Sequence, residues 1–195
     1  MSDWSRVPVL EGPHVRLEPL QPAHAPALGQ AAADGELWRA WYTNVPTPDE
    51  LEAYVASALQ MQARAEALAF TVRDARGEVV GTTRYYALDP KTPRLSIGYT
   101  WYAQRVQRTG LNTQAKLLLL GHAFEQLGCA AVALETSWFN HASRTAIARL
   151  GAKQDGVLRN HVRHKDGTLR DTVVFSIVAP EWAAVKQHLQ AKLQR

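Results

Sequence analysis

An α/β fold, with helices packed on a central sheet, is predicted by three features of this 195-residue sequence. From Arg94 onward the chain alternates strand, helix, strand, helix, the order that layered α/β architectures produce. Two turn signals, Asp74-Ala75-Arg76-Gly77 and Lys165-Asp166-Gly167-Thr168, each separate strand-like runs and mark hairpins. Between them, Thr113 to Leu127 carries a broad apolar stripe of Leu117, Leu120, Phe124 and Leu127, widened by Leu118, Leu119 and Ala123. Such a wide face suits a helix lying across a sheet.

Element by element, His14-Val15-Arg16-Leu17-Glu18-Pro19 alternates polar and apolar residues like a half-buried strand, and Pro19 ends it. Pro22 to about Trp41 and Pro48 to about Glu66 have helical composition, each with proline at the start, where its missing N–H costs little. Leu68 to Asp74 and Glu78 to Leu88 are the arms of the first hairpin, and Arg94 to Tyr102 is a strand rich in β-branched and aromatic residues. After the Thr113–Leu127 helix, Gly128 is a natural stop. Ala130 to Glu135 follows as a strand and Asn140 to Leu150 as a helix closed by Gly151. Strands at about Val157–His164 and Thr172–Val178, then a helix over Pro180–Leu193, complete a single predicted domain of residues 1–195.

Composition narrows the possible functions. The 46% hydrophobic and 21% charged shares are those of a globular chain, and the longest aliphatic run, Leu117 to Leu120, is far too short to span a bilayer. Met1-Ser2-Asp3-Trp4-Ser5-Arg6 lacks the apolar core of a secretory signal, so a cytoplasmic location is expected. The single cysteine, Cys129, excludes an internal disulfide framework and fits a small core position. A net charge of +4 suits an anionic partner without choosing one.

The most informative stretch is Gln107-Arg108-Thr109-Gly110-Leu111-Asn112-Thr113-Gln114-Ala115-Lys116. It reads as a glycine turn opening into a helix, and the free N–H groups of such a helix start attract phosphate. Asn140-His141-Ala142-Ser143 begins the next helix, where polar side chains can reach the same ligand. Together they point to a nucleotide-bearing molecule.

The order and spacing of several short motifs resemble the GNAT superfamily of acyl-CoA N-acyltransferases, particularly the branch with the ribosomal-protein N-terminal acetyltransferases. The motifs are Ile97-Gly98-Tyr99-Thr100-Trp101, Gln107-x-x-Gly110, Asn140-x-x-Ser143, Leu150-Gly151-Ala152, Asp166-Gly167 with Arg170-Asp171, and Glu181-Trp182. The resemblance implies a mixed, mainly antiparallel sheet of about seven strands with splayed fourth and fifth strands. It implies acetyl-CoA as acyl donor, no metal, and an amine as acceptor. The pyrophosphate would lie on the loop of Arg105, Gln107, Arg108, Thr109, Gly110, Leu111, Asn112 and Thr113, with Asn112 departing from the usual glycine or alanine and available to cap the helix. Thr100, Trp101 and Tyr102 would lend backbone to the pantetheine arm, Asn140 would hold that arm, and Ser143 would face the sulfur and assist thiolate departure. Trp38, Trp41 and Tyr42 fall where the family's acceptor wall lies. Monomers and homodimers both occur among relatives.

The resemblance also implies a missing part. Many relatives carry a glutamate just before the Ile-Gly pair, where this chain has Ser96. A general base contributes about 10²- to 10⁴-fold. An α-amine of pKa about 7.8 is about 14% neutral at pH 7, against about 0.04% for a lysine. Ser96 therefore favours an α-amino acceptor, such as a peptide or protein N-terminus, or a base acting through water. The rival reading is a non-catalytic acyl-CoA-binding regulatory domain. Arg159, Arg163, His164, Lys165 and Arg170 make the late hairpin basic; a solvated face is a simpler reading than an RNA surface. His161 and His164, three apart on a strand, point to opposite faces and do not form a metal pair.

Overall fold

The structure is a computed structural model that describes residues 3–194; Met1 and Ser2, the first residues of the segment expected to lack a secretory signal, lie outside the described residues. Eight strands form one sheet in the order β1-β2-β3-β4-β5-β6-β8-β7. They are β1 Leu10–Gly12, β2 Val15–Pro19, β3 Ala67–Asp74, β4 Val79–Asp89, β5 Arg94–Tyr102, β6 Ala131–Ser137, β7 Lys153–Arg163 and β8 Leu169–Val178. Every pairing is antiparallel except β5 with β6. The strand beyond the expected seven is β1, a short hairpin partner of β2. Gly12 lets it pass the helix below, since a Cβ there would meet the Gln114 side chain at 2.8 Å.

Five helices cover the sheet: α1 Ala25–Ala33, α2 Leu51–Ala63, α3 Gly110–Gly121, α4 His141–Ala148 and α5 Trp182–Leu193. On one face α1 packs on β4 and α2 on β3, while on the other α3 packs on α5 and against β1 and β2. The first predicted helix is shorter than its composition indicates. It stops at Ala33 because Gly35 and Glu36 both take left-handed backbone (φ +92° and +47°), and a Cβ on Gly35 would strike Gln104 at 2.7 Å. A short helical turn, Leu37–Arg39, and a loop then lead to α2.

The predicted Thr113–Leu127 helix begins earlier, at Gly110, and passes from α-helix into a π turn over His122–Gln126. The Tyr85 hydroxyl donates to the Leu119 carbonyl at 2.6 Å just before that turn, anchoring α3 to the centre of β4. Of the predicted stripe, Leu119, Leu120, Ala123 and Leu127 are buried, with Ala115 beside them, while Leu117, Leu118 and Phe124 are only partly buried. Cys129 is buried in the same core, and desolvation pushes its thiol pKa up to about 11.

The feature that positions the site lies at the sheet's centre. The parallel strands β5 and β6 pair only from Arg94–Ile97 to Ala131–Leu134 and then diverge. Just beyond, β5 carries a bulge: Thr82 pairs with Trp101 and Arg84 with Gly98, leaving one extra residue on β5, and Tyr99 takes a left-handed φ of +51°. Gly98 is needed beside it, because a Cβ there would meet the Tyr86 ring at 2.7 Å. No helix among the described residues is long and apolar enough to cross a membrane.

Candidate active site

The splay makes a slot whose two walls are strand edges. β5 keeps β4 on its outer edge and β6 keeps β8, so beyond Ile97 and Leu134 their facing edges have no strand partner. Unpaired strand edges take an extended chain that offers its own amides. Tyr99 and Thr100, at the bulge, have no register partner on β4. Trp101 and Tyr102 are buried, and the Trp101 indole N–H and the Tyr102 hydroxyl find no hydrogen-bond partner among the described residues.

At the end of β5 the chain reaches the loop singled out in the sequence. Gln107 fastens it by donating from Nε2 to the Tyr102 carbonyl at 2.9 Å. Arg105 is held by Asp34 at 2.9 Å and Glu78 at 3.1 Å, so its guanidinium braces the loop against the end of α1 and the β3–β4 turn. Arg108 adopts a left-handed φ of +61° and leads to Thr109, whose hydroxyl caps α3 by accepting from Leu111 N–H at 3.2 Å. The expected cap at Asn112 is thus not formed. Asn112 already lies inside the helix, and the cap falls three residues earlier because Thr109 has the extended backbone a cap needs.

The N–H groups of Arg108, Thr109 and Gly110 find no acceptor among the described residues, and Gly110 begins the helix. A cavity of about 180 Å³ opens there, lined by His14, Asp74, Arg76, Thr109, Gly110 and Leu111. Aligned N–H dipoles over a cavity at a helix start suit a phosphate. The loop follows directly on β5, one wall of the slot, and is tied to its last residue, so loop and slot together suit a ligand with phosphates at one end and an extended amide arm at the other.

Across the slot, Asn140 caps α4 by accepting from Ser143 N–H at 3.0 Å. The cap uses only the oxygen of the Asn140 side chain and leaves the Ser143 hydroxyl uncommitted among the described residues. Ser143 is half-buried at the positive end of α4, where a thiolate is stabilised.

The sheet face turned away from α3 carries polar residues that the sequence did not mark. Register puts Tyr86 opposite Ser96, Ser96 opposite Ala133 and Glu135 opposite Val174, so these lie on one face, joined by Arg84, Arg170 and Thr172 two positions along their strands. Glu135 therefore stands at the mouth of the splay, one strand over from Ser96. Burial and the Glu135 charge push the Tyr86 hydroxyl pKa up. Desolvation pulls Arg170 below its usual value, partly offset by Glu135. On the opposite face, Lys116 of α3 is buried and donates from Nζ to the Thr100 hydroxyl at 3.2 Å. Thr100 and Thr83 hydroxyls meet at 2.7 Å beside the Gly98 carbonyl, so Lys116 tethers the bulge to the helix that begins at the cradle.

The rim joins distant segments. Trp41 packs on Tyr42, on Phe139 of the β6–α4 loop and on His164 of the β7–β8 hairpin, with ring centroids 5.7, 5.2 and 4.9 Å apart. Lys165 fastens the hairpin by donating to the Val45 carbonyl at 2.7 Å. Trp38 does not join them: it packs against the hydrophobic core. The other basic residues of the hairpin are partly absorbed locally, Arg159 by Asp171 at 2.6 Å and Arg163 by the Gly167 carbonyl at 2.8 Å. His161 contacts the Thr172 hydroxyl and His164 lies buried under Trp41.

A splayed parallel pair beside a helix-start cradle defines a transferase that works on an extended, phosphate-bearing donor. Comparison with known proteins agrees. Residues 14–153 match the family model of the acetyltransferase (GNAT) domain. The chain is 26% identical over 178 residues to the uncharacterized N-acetyltransferase YoaA of Bacillus subtilis, covering 89% of this chain and 98% of that protein. Among solved structures it resembles a GCN5-related N-acetyltransferase from Brucella melitensis, with 31% identity, TM-score 0.85 and coverage of 96% of this chain and 86% of that one. It shares its fold with RimL, a ribosomal L7/L12 alpha-N-protein acetyltransferase solved with coenzyme A, at 18% identity and TM-score 0.74, covering 88% of this chain and 98% of that one. The chain belongs to the GNAT acetyltransferase family and is an acetyl-CoA-dependent N-acetyltransferase.

Proposed function

We propose that this acetyltransferase acts as one domain on the α-amine of a peptide or protein N-terminus, with Glu135 as its general base. The observation that carries the reading is the placement of Glu135 at the mouth of the splay, on the face that also holds Ser96. A carboxylate there removes the difficulty that Ser96 raised. The open aromatic rim of Trp41, Tyr42 and Phe139 is shaped for a chain rather than a small amine, and the RimL likeness supports an α-amino acceptor.

In this reading the N–H groups of Arg108, Thr109, Gly110 and Asn112 hold the pyrophosphate, the Leu111 N–H being taken by the Thr109 cap. The backbone of Thr100, Trp101 and Tyr102 pairs with the pantetheine arm, and the Asn140 side-chain N–H₂ reaches the same arm. Gln107 and Arg105 hold the loop in place, while Leu111 and Thr113 fix the first turn of α3. Donors at the bulge polarise the thioester carbonyl. Glu135, through a water, takes a proton from the acceptor ammonium; the amine nitrogen then bonds to the acyl carbon as the carbon–sulfur bond breaks, and the excess proton left on that nitrogen passes to the departing sulfur, giving the amide and the free thiol. Ser143 donates a hydrogen bond to the departing thiolate.

Thiol release measured with acetyl-CoA and a peptide panel tests this. Peptides with free N-termini are expected to turn over, and the same peptides blocked at the N-terminus but carrying lysine are not. Faster acetylation of lysine side chains would overturn the α-amine assignment.

A further inference from the structure

Two arginines on the acceptor face are paired in the reverse of the usual pattern. Several exposed arginines elsewhere reach carboxylates, among them Arg16 to Glu11 at 2.7 Å, Arg105 to Asp34 at 2.9 Å and Arg159 to Asp171 at 2.6 Å. Arg84 is 2% exposed, yet it forms no ion pair among the described residues, and its Nε and Nη2 have no hydrogen-bond partner. Its guanidinium lies between the rings of Tyr54 (4.6 Å) and Tyr99 (4.4 Å), with only the Met61 sulfur near Nη1 at 3.6 Å. Arg170, half-buried, likewise forms no ion pair there, and its buried Nε is unpartnered. Leaving a desolvated guanidinium without a carboxylate costs several kcal/mol, so folding alone gives no reason to place two of them on one face.

The two belong to one electrostatic group. Arg84 touches Tyr99, Tyr99 touches Tyr86 with centroids 5.3 Å apart, and Tyr86 feels both Glu135 and Arg170. Two positive charges face one carboxylate on this floor, and once Glu135 has taken the acceptor's proton both guanidiniums stand without a counter-charge. An acceptor that brings a negative charge of its own offsets one of them.

We propose that the acceptor carries a carboxylate near its reactive amine, and that Arg170, with the field of Arg84 behind it, anchors that carboxylate. This rests on the assignment of the splay face as the acceptor side. The carboxylate has two possible sources: the side chain of an acidic N-terminal residue, or the α-carboxylate of a free amino acid. Arg170 is the contact because it is the more open of the two; Arg84, under Tyr99, acts through its charge.

Thiol release with matched acceptors decides. The panel pairs peptides headed by Asp or Glu with the same peptides headed by Asn or Gln, and a free amino acid with its amide. The acidic member of each productive pair is expected to have a kcat/KM about tenfold or more higher, carried by KM and weakened by added salt. In Arg170→Gln the acidic-to-amide ratio should fall to near one, with acetyl-CoA binding by calorimetry reporting that the fold is intact; Arg170→Lys should restore part of the ratio. Turnover of free amino acids but no peptide would keep the carboxylate anchor and overturn the peptide reading. Equal turnover of acidic and amide members would overturn the anchor while leaving α-amine acetylation standing. A ratio that survives Arg170→Gln would overturn the assignment to Arg170.

Discussion

The donor and acceptor halves of the site are built in different ways. The donor half is largely backbone: a capped helix start, a bulge and two strand edges, with its cradle contained in Gln107 to Thr113. The proposed acceptor half is side chains from far apart: Trp41 meets His164, Arg84 and Tyr86 both meet Tyr99, Glu135 and Arg170 share their sheet face, and the Lys165 to Val45 bond joins residues 120 positions apart. Backbone dipoles recognise phosphate and amide whatever the side chains are, so the donor half suits one constant ligand. The acceptor half can change by substitution without disturbing it.

The sharpest break between the halves should come from Glu135→Gln. We expect kcat to fall by about 10²- to 10⁴-fold with donor binding unchanged, read from single-turnover rates and acetyl-CoA calorimetry. An unchanged rate would move the base elsewhere. Ser143→Ala should cost less, about 10-fold or more in kcat, and should spare acceptor KM because the hydroxyl acts on the leaving sulfur. Full activity in that variant would remove Ser143 from the mechanism.

Gly110→Ala tests the donor half through effects of opposite sign. A Cβ there meets only His14, at 3.4 Å, and alanine favours helix, so stability should rise by up to about 1 kcal/mol. The same methyl occupies the cradle, so the donor KM should rise about tenfold. If thermal stability rises while the donor KM stays constant, the pyrophosphate does not sit on Gly110.

The smallest effect joins the halves. Desolvation lowers the Lys116 amine from 10.5 to about 7. Between those values the unfolded chain binds the proton and the folded chain does not, so this group makes stability climb as pH rises from about 7 to about 10; below 7 both states are protonated and the contribution is flat. Lys116→Met should flatten that rise in chemical denaturation and raise the donor KM a few-fold by freeing Thr100. An unchanged slope would show that Lys116 is solvated.

A helix start close to Gly110 is legible because its causes are local, a capping hydroxyl, a glycine and an apolar stripe within one short segment, although the expected start at Thr113 lies three residues late. The cap itself was misplaced by three residues, since Thr109 and Asn112 are both good capping residues and only the backbone angle at Thr109 separates them. The first helix was overextended because the left-handed turn at Gly35 and Glu36 answers to Gln104, far along the chain. Trp38 and Trp41 look alike in sequence; one faces the core and the other the rim.

Glu135 carries no signal in the sequence, because its place at the mouth of the splay depends on where β5 and β6 stop pairing. Lys116 read as an ordinary polar residue of a helix. Its burial became visible only when α3 was laid against the β5 bulge.

By itself the sequence determined the layered α/β class, the hairpins, the strongest helix and the glycine turn that opens it, all set by propensities and capping within one or two turns of chain. Tertiary structure alone decided the eighth strand, the depth of the splay, the face shared by Ser96 and Glu135, and the isolation of Arg84 and Arg170. Those depend on strand register and on which distant groups fail to meet, and register is a property of pairs of strands that no single segment carries.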